Sequence, residues 1–286
     1  MSLARPSRSV ADIVQDLRAL GVAPADTLML HASLRAIGPV EGGADGFLDA
    51  LDAAVGPEGT VLMILGAEIA HDWVNQRPET ERPALLKDAQ PFDPQTAPVF
   101  HEVGTLAEVF RRRTGTVVTA NPSGRFGARG GNAEALLCDA PWHDYYGPGS
   151  PLERLCAMGG VILRLGASPD TTTVLHLAEY LADIPNKRRV RRHCRCVTAA
   201  GPAICAVECL DDENGIVAWD GEDYFAIILR EYIATGRAKQ GLVGNAHSER
   251  MKAADLVRFG TRWMSEKLPL GAAKSKGPPQ QHSREM

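Results

Sequence analysis

Several features that mark common protein classes are missing from this chain of 286 residues. No apolar run approaches 18 residues, so the sequence predicts no membrane-spanning helix. The first residues, MSLARPSRSVADIV, contain no apolar signal core, and we therefore expect a cytoplasmic protein. Basic residues are not in excess, with 31 Lys and Arg against 35 Asp and Glu. Nucleic-acid-binding proteins normally have a basic surface, so that class is not expected.

The cysteines are also too few to form a disulfide framework in a chain of this length, and we expect reduced thiols. The sequence HCRC contains Cys194 and Cys196, and with Cys205 and Cys209 it resembles a metal cluster. Its spacing is not that of a common zinc site, and buried strands often contain cysteine. We therefore expect no metal. The glycine-rich GARGG matches neither the dinucleotide fingerprint nor the P-loop.

The hydrophobic pattern that is present alternates between helices and buried strands. SVADIVQDLRALGV has helical spacing, with Ser9 as a cap and Gly21 as a stop. TLMLHAS, TVLMILG and VILRLGA have the composition of short buried strands. This order predicts a single α/β domain over residues 1–270, with a long loop at about 66–100 and a disordered tail at 271–286.

The stretch TTTVLHLAEY places His176 and Glu179 on one face of a predicted helix, with Asp170 or Thr171 as its cap. If that face is buried, the two groups must pair or take part in chemistry. A histidine held by a carboxylate is a general-base arrangement. Thr173 lies one turn before His176 and could donate a hydrogen bond nearby. The alternative is a partly exposed helix edge with a satisfied polar pair.

Two other segments have the residues of an anion-binding site. HASLRAIGPVEGG follows a predicted strand, and free amides, a hydroxyl and Arg35 could hold a phosphate there. The alternative is a simple turn with a surface arginine. In YYGPGSPLERL, Ser150 is expected to cap a helix that begins at Pro151, whose open amides could face a ligand.

An acidic turn at residues 211–213 follows a predicted strand and contains Asp211, Asp212 and Glu213. The neighbouring Asn214-Gly215 favours a solvated turn. The functional alternative is an electronegative wall for a cationic ligand.

Taken together, these segments resemble one known family. HASLRAIGPVEGG, PFDPQTAPV, GSPLERL, TTTVLHLAE followed by ADIPNKRR, the acidic turn and QGLVGNAHS resemble the aminoglycoside 3-N-acetyltransferases, in the family's order from about residue 9 to 267. The resemblance implies a layered α/β/α domain with a central mixed sheet, distinct from the GCN5-type acetyltransferase fold. It also implies transfer of an acetyl group from acetyl-CoA to the 3-amino group of the 2-deoxystreptamine ring, which gives resistance to antibiotics such as gentamicin. The expected partners are these small molecules, without nucleic acid or membrane, and the expected assembly is a monomer or homodimer.

The resemblance also implies roles for particular residues. The family's catalytic histidine is here His176, and the acidic turn supplies carboxylates near it. We expect Glu179 or an acid of the 211–213 turn, such as Asp212, to orient the imidazole, and Thr173 or a backbone amide of the HASLR turn to donate to the oxyanion. The expected coenzyme contacts are His31, Ser33, Leu34, Arg35, Ser123, Arg125 and Ser150. A polyammonium ligand requires an acidic pocket. The expected antibiotic contacts are Glu68, Asp72, Tyr146, Asp211 and Glu213.

The chain departs from the family pattern in VVTANPSGRFGARG, where Asn121 stands in place of a usual histidine, and in the insertion at 66–92. These departures leave a same-fold N-acetyltransferase with a different amine substrate as an alternative. A non-catalytic protein that binds cations or nucleotides is a second alternative, and a metalloprotein with cysteine ligands is a third. The pair of His176 and Glu179 argues against a purely binding role, because binding alone requires no base.

Overall fold

A computed structural model describes residues 7–271 of the chain. Nine strands lie in this range: β1 Thr27–Ala32, β2 Thr60–Ile64, β3 Val117–Val118, β4 Phe126–Gly130, β5 Val161–Leu165, β6 Arg189–Thr198, β7 Gly201–Leu210, β8 Lys239–Val243 and β9 Ala246–Lys252. Ten α-helices accompany them: α1 Val10–Leu20, α2 Leu34–Ile37, α3 Gly43–Val55, α4 Arg82–Leu86, α5 Thr105–Arg112, α6 Ala133–Leu137, α7 Pro151–Ala157, α8 Leu175–Leu181, α9 Tyr224–Ala234 and α10 Ala253–Gly271. Beyond Gly271, the predicted tail lies outside the described residues.

Seven strands form one mixed sheet in the order β3-β4-β2-β1-β5-β9-β8. Strand β1 pairs in parallel with β2 and β5, and the other pairings are antiparallel. In this register Leu28 lies opposite both Val61 and Val161. The carboxyl ends of the three parallel strands therefore meet at one edge of the sheet, which is where open α/β sheets bind ligands.

Both faces of the sheet are buried, which explains why β1 is apolar without alternation. Leu28 and Leu30 belong to a core on one face that includes residues of α1, α3 and α5. Met29 points to the other face, in a core with residues of α7, α8 and α10. The predicted α/β/α layering with a central mixed sheet is confirmed.

Helix ends follow local chemistry where the capping signal is strong. Ser9 and Asp12 form a capping box on α1, and Gly21 ends that helix with φ of 100°. Ser150 caps α7, and Pro151 is its first residue. These predictions are confirmed.

The helix that contains His176 begins later than predicted, at Leu175. Neither Asp170 nor Thr171 caps it, because both lie in a 3-10 helix at Pro169–Thr171. The Thr171 hydroxyl donates to the carbonyl of Ser168 at 2.7 Å instead of accepting from helix amides.

The loop at residues 66–100 is present, with a 3-10 helix at Asp72–Gln76 and α4 as its short ordered pieces. Arg125 holds this loop. Its guanidinium donates to the carbonyls of Gly66, Pro94, Ala97 and Pro98, and the residue is completely buried. Arg125 was predicted as a coenzyme contact; the structure places its guanidinium inside the protein, where its donors bond these carbonyls.

Strands β6 and β7, which contain the segments RRHCRCVT and AICAVECL, form a separate hairpin. All six cysteines are free thiols, as expected. Cys194 and Cys196 are buried beside Phe92, with 3.2 Å between their sulfurs. Among residues 7–271, no cluster of three or more His, Cys, Asp or Glu side chains has the arrangement of a metal site. No helix in the same part of the chain is both long and apolar enough to cross a membrane.

Candidate active site

A cavity of about 830 Å³ opens at the carboxyl ends of β1, β2 and β5. Its wall contains the segment from Leu30 to Arg35, which leaves β1, and the segment from Phe100 to Leu106 on the opposite side. Ser168 and Asp170 follow β5, and His176 lies at the start of α8. The volume is that of a site for a small-molecule ligand.

His176 and Glu179 are paired inside the protein. The Nδ1 atom of His176 lies 2.7 Å from Oε2 of Glu179, and the exposed fractions of the two side chains are 18% and 2%. Because Nδ1 is engaged by the carboxylate, Nε2 is the nitrogen that can exchange a proton with a ligand. The pairing proposed from TTTVLHLAEY is therefore present, with the carboxylate buried and the imidazole only partly exposed.

The pKa of His176 reflects two opposing effects. Burial lowers it, but the charge and the hydrogen bond of Glu179 raise it, together with the charges of Asp212 and Asp223. The raising effects are larger, so the pKa lies above the usual value of 6.5. The carboxylates therefore make the imidazole a stronger base than a free histidine.

Aromatic rings fix the plane of the imidazole. Tyr146 stacks on His176 with 4.8 Å between ring centroids and 9° between planes, and Phe225 meets it edge-on at 4.8 Å. Tyr146 was predicted as an antibiotic contact. The structure places its ring against His176, where the aromatic face can stabilise the imidazolium form.

Asp212 is near His176 but has partners of its own. Its carboxylate accepts hydrogen bonds from the Tyr145 hydroxyl at 2.6 Å and from Arg192 at 2.8 Å.

Asp211, by contrast, is buried and accepts from the amides of Glu213 and Asn214 in its own turn. Asp211 was predicted as an antibiotic contact; the structure uses its carboxylate to hold this turn together.

His31 lies at the inner end of the cavity. It is 7% exposed, and its Nε2 atom finds no hydrogen-bond partner among residues 7–271. Burial, with the charge of Arg164 on the neighbouring strand, lowers its pKa to about 3. His31 is therefore neutral at physiological pH and can offer either a donor or an acceptor to a ligand.

Of the other predicted coenzyme contacts, Ser33, Leu34 and Arg35 line the same cavity as His31. Ser33 also caps α2, accepting from the Ala36 amide at 3.3 Å. Ser150 does not line the cavity and is completely buried as the cap of α7. Ser123 also lies outside the cavity wall.

The remaining predicted antibiotic contacts lie outside the cavity wall. Glu68 pairs with His101 at 2.7 Å, and Asp72 accepts from Asn75 at 3.0 Å within its own short helix. The side chain of Glu213 is 76% exposed and lies 3.7 Å from Arg192. Each of these three carboxylates has a different partner.

Several residues around the cavity were not found from the sequence. Glu102 and Thr105 line it from the loop before α5, where the only local signal was the return of helical spacing. Tyr224, at the start of α9, donates from its hydroxyl to Oε1 of Glu179. The only signal in the sequence was the aromatic pair of Tyr224 and Phe225 after the capping residue Asp223. That pair does not show that Tyr224 contacts Glu179, which lies 45 residues earlier in the chain.

Comparison with known proteins places this geometry in a family. The family model for aminoglycoside 3-N-acetyltransferases matches residues 29–265. The chain belongs to this family. Aminoglycoside N(3)-acetyltransferase VII of Streptomyces paromomycinus is 38% identical over 266 residues, which are 90% of this chain and 91% of the relative.

Solved structures of acetyltransferases agree with the family assignment. The chain is 37% identical to an AAC-IIIb in a binary complex with CoASH, with a TM-score of 0.86 over 92% of this chain and 98% of that one. It is 35% identical to an AAC-VIa bound to sisomicin, with a TM-score of 0.85 over 92% and 99% of the two chains. The predicted family and the distinction from the GCN5-type fold are confirmed.

Asn121, singled out from the sequence, supports the backbone around it. Its side-chain oxygen accepts from the amides of Ser123 and Gly124, and its nitrogen donates to the carbonyl of Trp142. Gly124 packs so closely on the ring of Tyr145 that an added Cβ atom would lie 2.0 Å from it. Asn121 therefore supports the turn behind Tyr145, which holds Asp212.

Proposed function

We propose that this protein transfers the acetyl group of acetyl-CoA to the 3-amino group of the 2-deoxystreptamine ring of aminoglycosides, with His176 as the general base. The observation that carries the proposal is the buried pair of His176 and Glu179 at the wall of the cavity. A hydrolase or a binding protein would not explain this pair together with the family membership.

The base is required because an ammonium group cannot attack a thioester. Neutral His176 takes the proton from the amine through Nε2, and the imidazolium that forms is stabilised by Glu179 and by the face of Tyr146. The amine nitrogen then forms a bond to the thioester carbon. The nitrogen loses two protons between ammonium and amide: one passes to the departing thiolate of coenzyme A as the carbon–sulfur bond breaks, and the other is released to solvent. No covalent enzyme intermediate is required.

The tetrahedral intermediate requires donors to its oxyanion. Thr173 lies on the cavity wall beside His176, and its hydroxyl has only a long contact of 3.4 Å with the carbonyl of Thr171. The amide of Ser33 is not available, because it donates to the carbonyl of Leu165 at 2.9 Å. We therefore assign the oxyanion contact to Thr173 and to the amides that follow Ser33 in the HASLR turn.

The coenzyme is assigned to the part of the cavity between the HASLR turn and the segment that begins α5. His31, Ser33 and Leu34 provide polar and apolar contacts for the pantetheine arm, and the exposed Arg35 is placed for a phosphate. Because His31 is neutral, it adds no charge that would repel the base at His176.

The antibiotic is a polycation, and the carboxylate of Asp212 and the helix cap Asp223 supply negative potential near His176. We assign gentamicin to the substrates and the reaction to the cytoplasm, where acetylation of the ring would remove one positive charge from the drug and give resistance. Monomeric and homodimeric states are both compatible with a cavity formed within one chain.

The proposal is tested by following thiol release from acetyl-CoA with gentamicin, tobramycin, kanamycin, neomycin and apramycin. A drug that lacks the 3-amine is the control. Release with several drugs but not with the control is expected. The His176→Ala variant, checked for folding by circular dichroism, should lose most of its kcat.

If the folded protein binds acetyl-CoA but releases no thiol with any drug of this panel, the assigned acceptor is contradicted. A different amine is then favoured as the substrate. Turnover near that of the wild type in His176→Ala would instead contradict the assignment of the base.

A further inference from the structure

Glu179 has a second partner, which the chemistry described so far does not use. The hydroxyl of Tyr224 donates to Oε1 of Glu179, while Oε2 contacts Nδ1 of His176. The three groups form a chain of hydrogen bonds that begins in the core and ends at the cavity. Tyr224 is 6% exposed and Glu179 is 1% exposed, so the chain is protected from water up to the imidazole.

We propose that Tyr224 is a positioning residue for acetyl transfer, which holds Glu179 and through it directs Nε2 of His176 towards the acceptor amine. This inference rests on the proposed function, because it assigns Tyr224 a part in that reaction. Tyr224 is not among the residues that line the cavity, so it acts through Glu179.

The first argument is that Glu179 requires this donor. A buried carboxylate with one bonded oxygen leaves the other oxygen desolvated, which is costly and allows the group to rotate towards other donors. Burial, followed by the charge of Glu179, raises the pKa of Tyr224 far above its usual value. The phenol therefore stays protonated and remains a donor at every pH at which the enzyme is folded.

The second argument is the way the first turn of α9 is anchored. Asp223 caps this helix by accepting from the amides of Phe225 and Ala226, at 2.7 and 3.3 Å. Its next two residues then contact the catalytic pair from different sides. Tyr224 bonds the carboxylate, and the ring of Phe225 meets the edge of the imidazole. One capped turn therefore sets both the carboxylate and the ring plane.

Other ionisable groups face the pair from neighbouring elements. On the side of the imidazole are Asp212, which follows β7, and Asp223, with the neutral phenol of Tyr146 stacked above the ring. On the side of the carboxylate is the cation of Lys187, whose ammonium donates to the carbonyl of Tyr180. None of these groups replaces the donor that Tyr224 gives to Oε1.

The test is Tyr224→Phe, which keeps the ring and removes the hydroxyl. The hydrogen bond favours the form of the pair with a net negative charge, in which Glu179 is ionised and His176 is neutral. Without it the pair binds a proton more tightly, whichever residue carries that proton. We therefore expect the acid limb of kcat/KM to move up by about one pH unit, with about a tenfold loss of kcat at neutral pH and little change in KM for acetyl-CoA.

Tyr232→Phe is the matched control. Tyr232 is a buried tyrosine on the same helix, and its hydroxyl donates to Asp255 at 2.8 Å, away from the cavity. Its loss should lower the thermal midpoint and leave the pH profile in place. An equal shift in both variants, or no shift in Tyr224→Phe, would overturn the inference.

Two further measurements separate this inference from the proposed function. In protein without substrate, the pKa of the His176 ring measured by NMR should rise in Tyr224→Phe even if no aminoglycoside is acetylated. An unchanged pKa would contradict the role of Tyr224.

In a Glu179→Gln background, Tyr224→Phe should cost much less activity than in the wild type, because its effect passes through Glu179. An undiminished loss would point to a purely structural role.

A variant with 3-fluorotyrosine at position 224 covers the case in which Tyr224→Phe folds poorly. Fluorine makes the phenol a stronger donor and keeps the ring, so the acid limb should move to lower pH. A shift to higher pH, or none, would contradict the inference. An inactive wild-type protein would contradict the proposed function alone, because the NMR titration would still report on Tyr224.

Discussion

His176 has two carboxylates within electrostatic reach, and they differ in what else they bind. Glu179 is buried and divides its oxygens between His176 and Tyr224. Asp212 is partly exposed, with its charge balanced by Arg192. Glu179 is therefore placed to orient the base, and Asp212 to adjust its pKa and the local potential. The sequence left the choice between these two acids open, and hydrogen-bond geometry favours Glu179.

At this scale we predict the effect of Asp212→Asn. The change removes a negative charge that raises the pKa of His176, so the acid limb of kcat/KM should move to lower pH. It also leaves the cation of Arg192 without its closest carboxylate, which disfavours a polycationic ligand. We expect KM for the antibiotic to rise about fivefold and KM for acetyl-CoA to stay nearly constant, as measured by steady-state kinetics.

Glu213→Gln is the control for this experiment, because that side chain is mostly exposed and lies farther from Arg192 than Asp212 does. It should change neither KM nor the pH profile. An unchanged antibiotic KM and pH profile in Asp212→Asn would show that the acidic turn is only a solvated connection.

At the scale of elements, the long loop at 66–100 depends on a side chain from the sheet. Arg125 immediately precedes β4, and its buried guanidinium bonds four backbone carbonyls of the loop. Burial lowers the pKa of Arg125 to about 10, which still leaves it charged at neutral pH. The loop leads to the segment from Phe100 to Leu106 on the cavity wall, so the same contacts help to shape the coenzyme site.

We therefore predict that Arg125→Met lowers the free energy of unfolding by about 3 kcal/mol, because it leaves several carbonyls without donors. Denaturant unfolding measures this loss. Arg230→Met removes an arginine that pairs with Glu222 on the surface, at exposed fractions of 63% and 50%, and should change stability by less than about 1 kcal/mol. Equal losses in the two variants would contradict the anchoring role of Arg125.

Elements with strong local signals were predicted correctly, and elements that depend on neighbours were not. The capping box of α1 and the buried pattern of β1 are properties of consecutive residues. Strand β4 was missed because GARGG has little strand propensity, and it exists through its pairing with β2. The start of α8 was placed too early because the threonine hydroxyls donate to carbonyls behind them.

At the scale of the whole molecule, the sheet brings three strand ends together to form the cavity, and no part of the proposed reaction requires a metal. We predict that prolonged treatment with EDTA leaves acetyl transfer unchanged. Thiol release before and after treatment measures this, with a known zinc enzyme as the control for chelation. If activity is lost and zinc restores it, the result would support the alternative that cysteines of the β6–β7 hairpin bind a metal.

The sequence by itself determined helix α1, the buried strands β1, β2 and β5, and the adjacency of His176 and Glu179. Hydrophobic spacing and a separation of three residues in a helix act locally, so both can be read along the chain. The tertiary structure alone decided that Glu179 is buried against Tyr224, that Arg125 holds a loop, and that Asp211 closes its own turn. Buried donors and acceptors need hydrogen-bond partners, and here those partners are set by the packing of the folded chain. Sequence spacing alone does not show which side chain supplies each partner.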